Sequence, residues 1–346
     1  MPDLYILGAG CSRNYSEATH NIRGLESPTN GNFFKMARLA IEKTGMKSDS
    51  RFMEEIDLLI KTIAPLYGGS NELRFFSKRN LNLEGVMTLL DIDFRMFSTI
   101  PEQRLGRSES RQLRALKDLL TRTLEIALRG PPCGKHRTLA REMSDGDVVL
   151  SMNYYILINN ALLSSGKTAD SGYNMNFYKV NRDGEWTRPN SQPSRVSLFK
   201  LHGSLNWVRC GLCGSLLLYR YTKQTLIGGE PFQCPRCSSE NFAERMIIPP
   251  LHTKDYRDKD LAFLWIQADR AMKEFSKIVS IGYSYSPLDS DMTALIRRLR
   301  TRQATVPEVD FISPDHEAEK RLKDLLGVKK TNRYKDLSSY LESEQN

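Results

Sequence analysis

The stretch FKLHGSLNWVRCGLC at residues 199–213 sets a histidine, His202, eight residues before the first of four cysteines at metal-ligand spacing. Cys210 and Cys213 form one C-x-x-C pair and Cys234 and Cys237 a second, with twenty residues between the pairs. Each pair brings two soft thiolates onto one ion, and two pairs complete a tetrahedral four-thiolate zinc site. Such a site has no open coordination position, so it predicts a structural zinc and leaves His202 for other chemistry. The histidine follows the apolar run SLFKL at 197–201, which places it where strand ends form a ligand crevice. A histidine satisfied within its own turn is the simpler alternative.

Four other stretches carry polar groups just past an apolar run. LYILGAGCS at 4–12 leads a strand into a G-A-G turn with Ser12 close behind, where backbone can approach a phosphate. SMNYYILINNAL at 151–162 puts Asn153 beyond the next strand, facing the same crevice or capping the helix that starts near Tyr155. SIGYSYSPLDSD at 280–291 and FISPD at 311–315 end two further strands. Backbone N–H groups and hydroxyls at Gly282, Ser284 and Ser313 to Asp315 suit a ribose or phosphate. An ordinary strand-to-helix turn reads the same way at each.

The elements that must position these groups are short apolar runs bounded by turn residues: 4–7, 147–152, 197–201, 277–281 and 309–312. Runs that are apolar on both faces predict a buried parallel sheet. Helical patterns lie between them at 33–43, 51–64, 83–97, 110–128 and 261–275, with another from about Asp289. The alternation predicts an α/β, doubly wound, Rossmann-like parallel sheet. About 140 residues separate the first two strands, too many for one crossover, so a helical module is inserted at 31–135. The cysteine pairs define a second insertion, a zinc ribbon at 208–247. Residues 166–195 form a long loop or small hairpin, and the polar C-terminus from about Asp336 calls for no imposed structure.

The bulk composition, 40% hydrophobic and 26% charged over 346 residues, supports a full core. No apolar run reaches 18 residues, which excludes a spanning helix, and the N-terminus lacks the basic start of a signal peptide. A cytoplasmic location is expected. Cys11 and Cys133 are the remaining thiols, consistent with metal rather than disulfide usage. The net charge of +9 fits a nucleic-acid partner, an anionic ligand or a solvated basic face. The basic clusters at Arg104–Arg114 and Arg297–Arg302 are not interleaved with aromatics, so direct nucleic-acid contact stays open.

Taken in order, GAGCS, MNYY, KLHGSLNW, the double C-x-x-C and IGYSYSPLDSD resemble the sirtuin-like domain family over roughly residues 4–320. The style of KLHGSLNW and IGYSYSPLDSD is closest to the bacterial antiphage sirtuin-like NAD hydrolases. The resemblance implies a discontinuous NAD-binding domain at 1–30, 136–207 and 248–320, followed by a C-terminal helix or tail at 321–346. It implies His202 as general base and Asn153 as the group that orients ribose and water. Gly8, Ala9, Gly10, Cys11 and Ser12 would hold the diphosphate, and Gly282, Ser284, Ser313 and Asp315 the adenosine. The implied cofactors are NAD as substrate and structural zinc. The implied activity is an NAD glycohydrolase acting in antiviral defence, with a homo-oligomer or a partner protein such as a nucleic-acid translocase, and no membrane.

The chain departs from the family twice. The G-I-P-x-F-R stretch of the deacylases is replaced by NIRGLESPTNGNFF, which ranks protein deacylation third. Tyr155 stands where the family has an Asp after Asn-Tyr or Asn-x, which raises a second reading: a weakly active or inactive NAD- or ADP-ribose-binding sensor or scaffold subunit. Asp91, Asp93 and Glu84 are candidates to supply the missing carboxylate.

Overall fold

The computed structural model describes residues 1–13, 15, 22–97, 110–167, 177–180, 186–187, 195–218, 232–238, 240–241, 243–248 and 259–344. Arg104 and Arg107 of the first basic cluster, and most of the 166–195 segment, lie outside them. In chain order the strands are β1 (Leu4–Leu7), β2 (Val148–Ser151), β3 (Tyr178–Val180), β4 (Trp186–Thr187), β5 (Ser197–Lys200), β6 (Gly203–Cys210) and β7 (Leu216–Leu218). They continue as β8 (Phe232–Gln233), β9 (Glu240–Asn241), β10 (Ala243–Ile247), β11 (Lys277–Ile281), β12 (Glu308–Ile312) and β13 (Asn332–Tyr334). The helices are α1 (Phe33–Lys43), α2 (Ser50–Ile63), α3 (Leu83–Phe97), α4 (Arg111–Leu128) and α5 (Gly134–Glu142). After them come α6 (Leu157–Ser164), α7 (Lys259–Ala271), α8 (Ser290–Arg302), α9 (His316–Leu326) and α10 (Leu337–Glu344).

Six strands form one sheet in the order β13-β12-β11-β1-β2-β5, and every pairing in it is parallel. Counted among these six strands, the order is 6-5-4-1-2-3, the doubly wound dinucleotide-binding arrangement. Its switch point falls between β1 and β11, where the chain turns from building one side of the sheet to building the other. β1 and β2 are buried at every residue because helices cover both faces, which is why these strands read as unbroken apolar runs. The polar edge strand β13, three residues long, carries no such signal.

A second core lies in the helices between β1 and β2. α1 buries Phe33, Phe34, Ala37, Ala40 and Ile41, at helical spacing, against residues of α2, α3 and α4. Asp49 caps α2 by accepting from Phe52 N at 3.0 Å, and Ser110 caps α4 by accepting from Leu113 N at 3.1 Å. Each cap contributes about 1 kcal/mol. Tyr155, Leu157 and Ile247 reach into this core from outside it.

The remaining strands form a five-stranded sheet, β10-β6-β7-β3-β4, and a two-stranded β8-β9 pair that carry the cysteines. α7 stops at Ala271, short of the expected end at 275: Met272 N closes a tighter turn on Asp269 O at 3.1 Å, and Phe275 N goes to the side chain of Gln303 at 3.0 Å. The C-terminus is more ordered than its polarity suggests. α10 buries Leu337, Tyr340 and Leu341 on one face, and Asp336 accepts from Ser339 N at 3.1 Å at its start.

Candidate functional site

At the switch point, three strand ends are laced together by backbone. Gly8 N donates to Ile281 O at 2.9 Å, Gly10 N to Gly282 O at 3.0 Å and Gly282 N to Ile312 O at 2.9 Å. The G-A-G turn and the G-Y-S turn therefore touch main chain to main chain. Gly282 has φ +62°, and a Cβ there would lie 2.4 Å from Gly10 C; a Cβ on Gly8 would lie 2.4 Å from Tyr283 Cα. Only glycine permits this approach. Much of the N–H supply expected to cradle a phosphate thus ties the turns to each other, since Cys11 N also donates internally, to Gly8 O.

Over this junction opens a cleft of about 790 Å³, within the size range of small-molecule sites. Gly8, Ala9, Gly10, Asn153, His202, Gly282, Ser284, Ser313 and Asp315 all line it. Two of the expected residues do not. The buried Cys11 thiol turns the other way, with Sγ 3.4 Å from His136 Nε2, and His136 Nδ1 lies 3.1 Å from Cys133 Sγ. Ser12 Oγ bonds Ser27 Oγ at 2.7 Å beneath the loop. The one-turn 3-10 helix Ala9–Ser12 sends both side chains into the protein. Asp315 reaches the cleft rim, but its carboxylate caps α9 through Glu317 N and Ala318 N, both at 3.0 Å.

Asn153 does not cap α6, which begins at Leu157. Its Nδ2 donates instead to Gly8 O at 3.0 Å, clamping the glycine turn from the β2 side. Beneath it, the wholly buried Lys200 donates to Tyr155 O at 2.5 Å, and burial holds its pKa well below the usual value. This lysine was not singled out in the sequence, although it stands in K-L-H-G two residues before the histidine.

His202 is fixed by main chain and side chain together. Its carbonyl accepts from Ile248 N at 2.8 Å, and the following Gly203, at φ +80°, leaves room for Met246 O, which a Cβ would meet at 1.8 Å. Nε2 lies 2.9 Å from Asp289 Oδ2. Tyr283 OH donates to the same oxygen at 2.6 Å. Asp289 is 1% exposed, so a charge on it calls for the Tyr283 hydroxyl and a protonated His202 beside it. The Tyr283 phenol is pushed well up, first by burial and then by Asp289, and stays a donor. His202 and Asp289 stand at ion-pair distance, a contact that strengthens when the imidazole is protonated, and the ring N–H is not aligned on the carboxylate as a hydrogen bond.

Of the three carboxylates considered as replacements for the family acid, Glu84 lines the cleft. Asp91 is buried within α3 and Asp93 is exposed on it, and neither lines the cleft. Tyr155 also lines the cleft, with its ring in the helical core.

The four cysteine sulfurs lie within 4.8 Å of one another. Cys210 Sγ is 3.8 Å from Cys237 Sγ, and Cys213 Sγ is 3.5 Å from Cys234 Sγ. Zn–S bonds of about 2.3 Å at tetrahedral angles require about 3.8 Å between sulfurs, so the set fits one zinc ion. His202 takes no part in it. Among the described residues, no helix is long and apolar enough to cross a membrane.

A scan against protein-family models returns no match, and no curated protein matches the sequence. Among solved structures, the chain is similar to Sir2Tm bound to a propionylated peptide, at 13% identity and TM-score 0.37, over 66% of this chain and 77% of that one. It is also similar to a Sir2 mutant with a p53 peptide and NAD, at 12% identity and TM-score 0.38, over 99% of this chain and 91% of that one. The overall likeness is distant, and the functional reading rests on the site's own geometry.

Proposed function

We propose that this chain cleaves the nicotinamide–ribose bond of NAD, adding water to give ADP-ribose and nicotinamide. The observation that carries the reading is the Asp289-held His202 on the wall of a cleft at the sheet's switch point, where doubly wound folds take dinucleotides. In NAD the leaving group is already cationic, so it departs as neutral nicotinamide without protonation. The bond electrons go to the ring nitrogen, and C1′ gains oxocarbenium character. The residues must then hold the ribose, limit stray water and deliver one nucleophile. His202 accepts the proton of the attacking water, or of a ribose hydroxyl, and Asp289 stabilises the imidazolium that results. Asn153 orients the ribose side, and the Gly8–Gly10 and Gly282–Ser284 turns bear the diphosphate and adenosine. The zinc ribbon is structural and takes no step in the reaction.

Purified chain incubated with NAD is expected to release nicotinamide, with His202→Ala reducing the rate by about 10³-fold while NAD still binds. An unchanged rate in His202→Ala would remove the histidine from the mechanism. Tyr155 at the cleft wall favours a second reading, binding of NAD or ADP-ribose without turnover. Calorimetric binding of NAD with no nicotinamide release would select it. An antiviral role, restrained by oligomer assembly or by a partner such as a nucleic-acid translocase, is the biological setting the motif style supports. Copurification from the native host tests it.

A further inference from the structure

The reaction proposed above builds positive charge at C1′, and Asp289, a carboxylate on the cleft, already contacts His202 and Tyr283. Glu84 is a second carboxylate on the same cleft. It comes from the first turn of α3, in the helical segment between β1 and β2. That turn is anchored by the 28–31 stretch, which also lines the cleft: Asn30 O accepts from Leu83 N at 3.1 Å and Asn30 Oδ1 from Glu84 N at 2.8 Å. Ser286, in the turn leading to Asp289, donates to Glu84 Oε2 at 2.9 Å. Among the described residues, Glu84 makes no ion pair and no other side-chain hydrogen bond.

We propose that Glu84 is the acid that holds the hydroxyls of the nicotinamide ribose and offsets the charge developing at C1′. The inference rests on the hydrolase reading. Two carboxylates whose surroundings differ, one bound to an imidazole and one held by a single hydroxyl, divide between the histidine and the sugar. Burial raises the Glu84 pKa above the usual carboxylate range, and the charge of Asp289 adds to this. The titratable groups that act on it are Asp289, Tyr154 and Tyr283, and His202, Arg13, Glu26, Asp315, Lys335 and Asp336 line the same cleft. Because the ionised form acts, turnover is lost as pH falls through this raised pKa.

The test compares wild type, Glu84→Gln and Glu84→Asp for nicotinamide release, NAD binding by calorimetry, and rate across pH. Glu84→Gln keeps the Ser286 contact and removes the charge. It is expected to lower kcat by about 100-fold and to leave the NAD Kd within about threefold. It should also lose one ionisation from the acid side of the profile, which a purely structural role would not touch. Glu84→Asp retains charge at shorter reach and is expected to fall between the two, which keeps the proposal testable if the glutamine variant misfolds. Wild-type turnover with Glu84→Gln equally fast overturns the Glu84 assignment alone. Absence of nicotinamide release from wild type overturns the hydrolase reading and this role with it.

Discussion

Asp289 occupies the N-cap position of α8 yet makes no side-chain cap hydrogen bond. Its carboxylate turns to His202 Nε2 at 2.9 Å instead. Aspartate at a helix start ordinarily accepts from the first-turn N–H groups, so S-P-L-D-S-D reads as a helix signal and hides the residue's second use. His202 and Asn153 were legible because each stands just past a strand, where polar groups face the crevice. Asp289 was not, because its partner is 87 residues away and only the fold joins them. Asp289→Asn keeps an oxygen that can accept from both His202 and Tyr283 and removes the charge that stabilises the imidazolium. Its kcat is expected to fall by about 100-fold or more with the thermal midpoint little changed, measured by nicotinamide release and calorimetry. A kcat within a few-fold of wild type would separate Asp289 from the chemistry.

At the scale of elements, the site is a meeting of turns rather than of helices or strands. Strands β1, β5 and β11 were legible almost to the residue because burial on both faces leaves continuous apolar runs. The 3-10 turn after Gly8 was not, so Cys11 and Ser12 were expected in the cleft and lie beneath it. Short helices whose apolar faces cover few residues, such as α5 and α10, gave too little periodicity to stand out. The close approach of the two glycine turns makes a sharp prediction. Gly282→Ala places a Cβ 2.4 Å from Gly10 C at φ +62°. It is expected to cost at least about 2 kcal/mol in a urea titration and to abolish NAD binding. Gly45→Ala, with nothing within 4 Å of the new Cβ, is the control. Equal stability of the two variants would show that the turns can part without loss.

Across the whole molecule, three bodies of structure converge on one cleft: the parallel sheet at its base, the helical core along the α3 side, and the cysteine-bearing sheet behind His202. The last connection is direct. β6 begins at Gly203, next to the histidine, and ends at Cys210, while the chain leaving β10 returns to His202 O through Ile248 N at 2.8 Å. One zinc per chain is expected by elemental analysis. Its removal should loosen 203–247 to protease while the parallel sheet persists, and should slow turnover through the slackened His202 segment. Full activity in metal-free protein would uncouple the two sheets. The most direct test of the central claim is product analysis of NAD incubated with the purified chain in ¹⁸O-labelled water. Equimolar nicotinamide and ADP-ribose, with label on the ribose anomeric oxygen and formation slowed by about 10³-fold in His202→Ala, is the result expected. Nicotinamide release only when an acyl-lysine peptide is added, with the acyl group carried onto ADP-ribose, would contradict hydrolysis; so would tight NAD binding with no products at all.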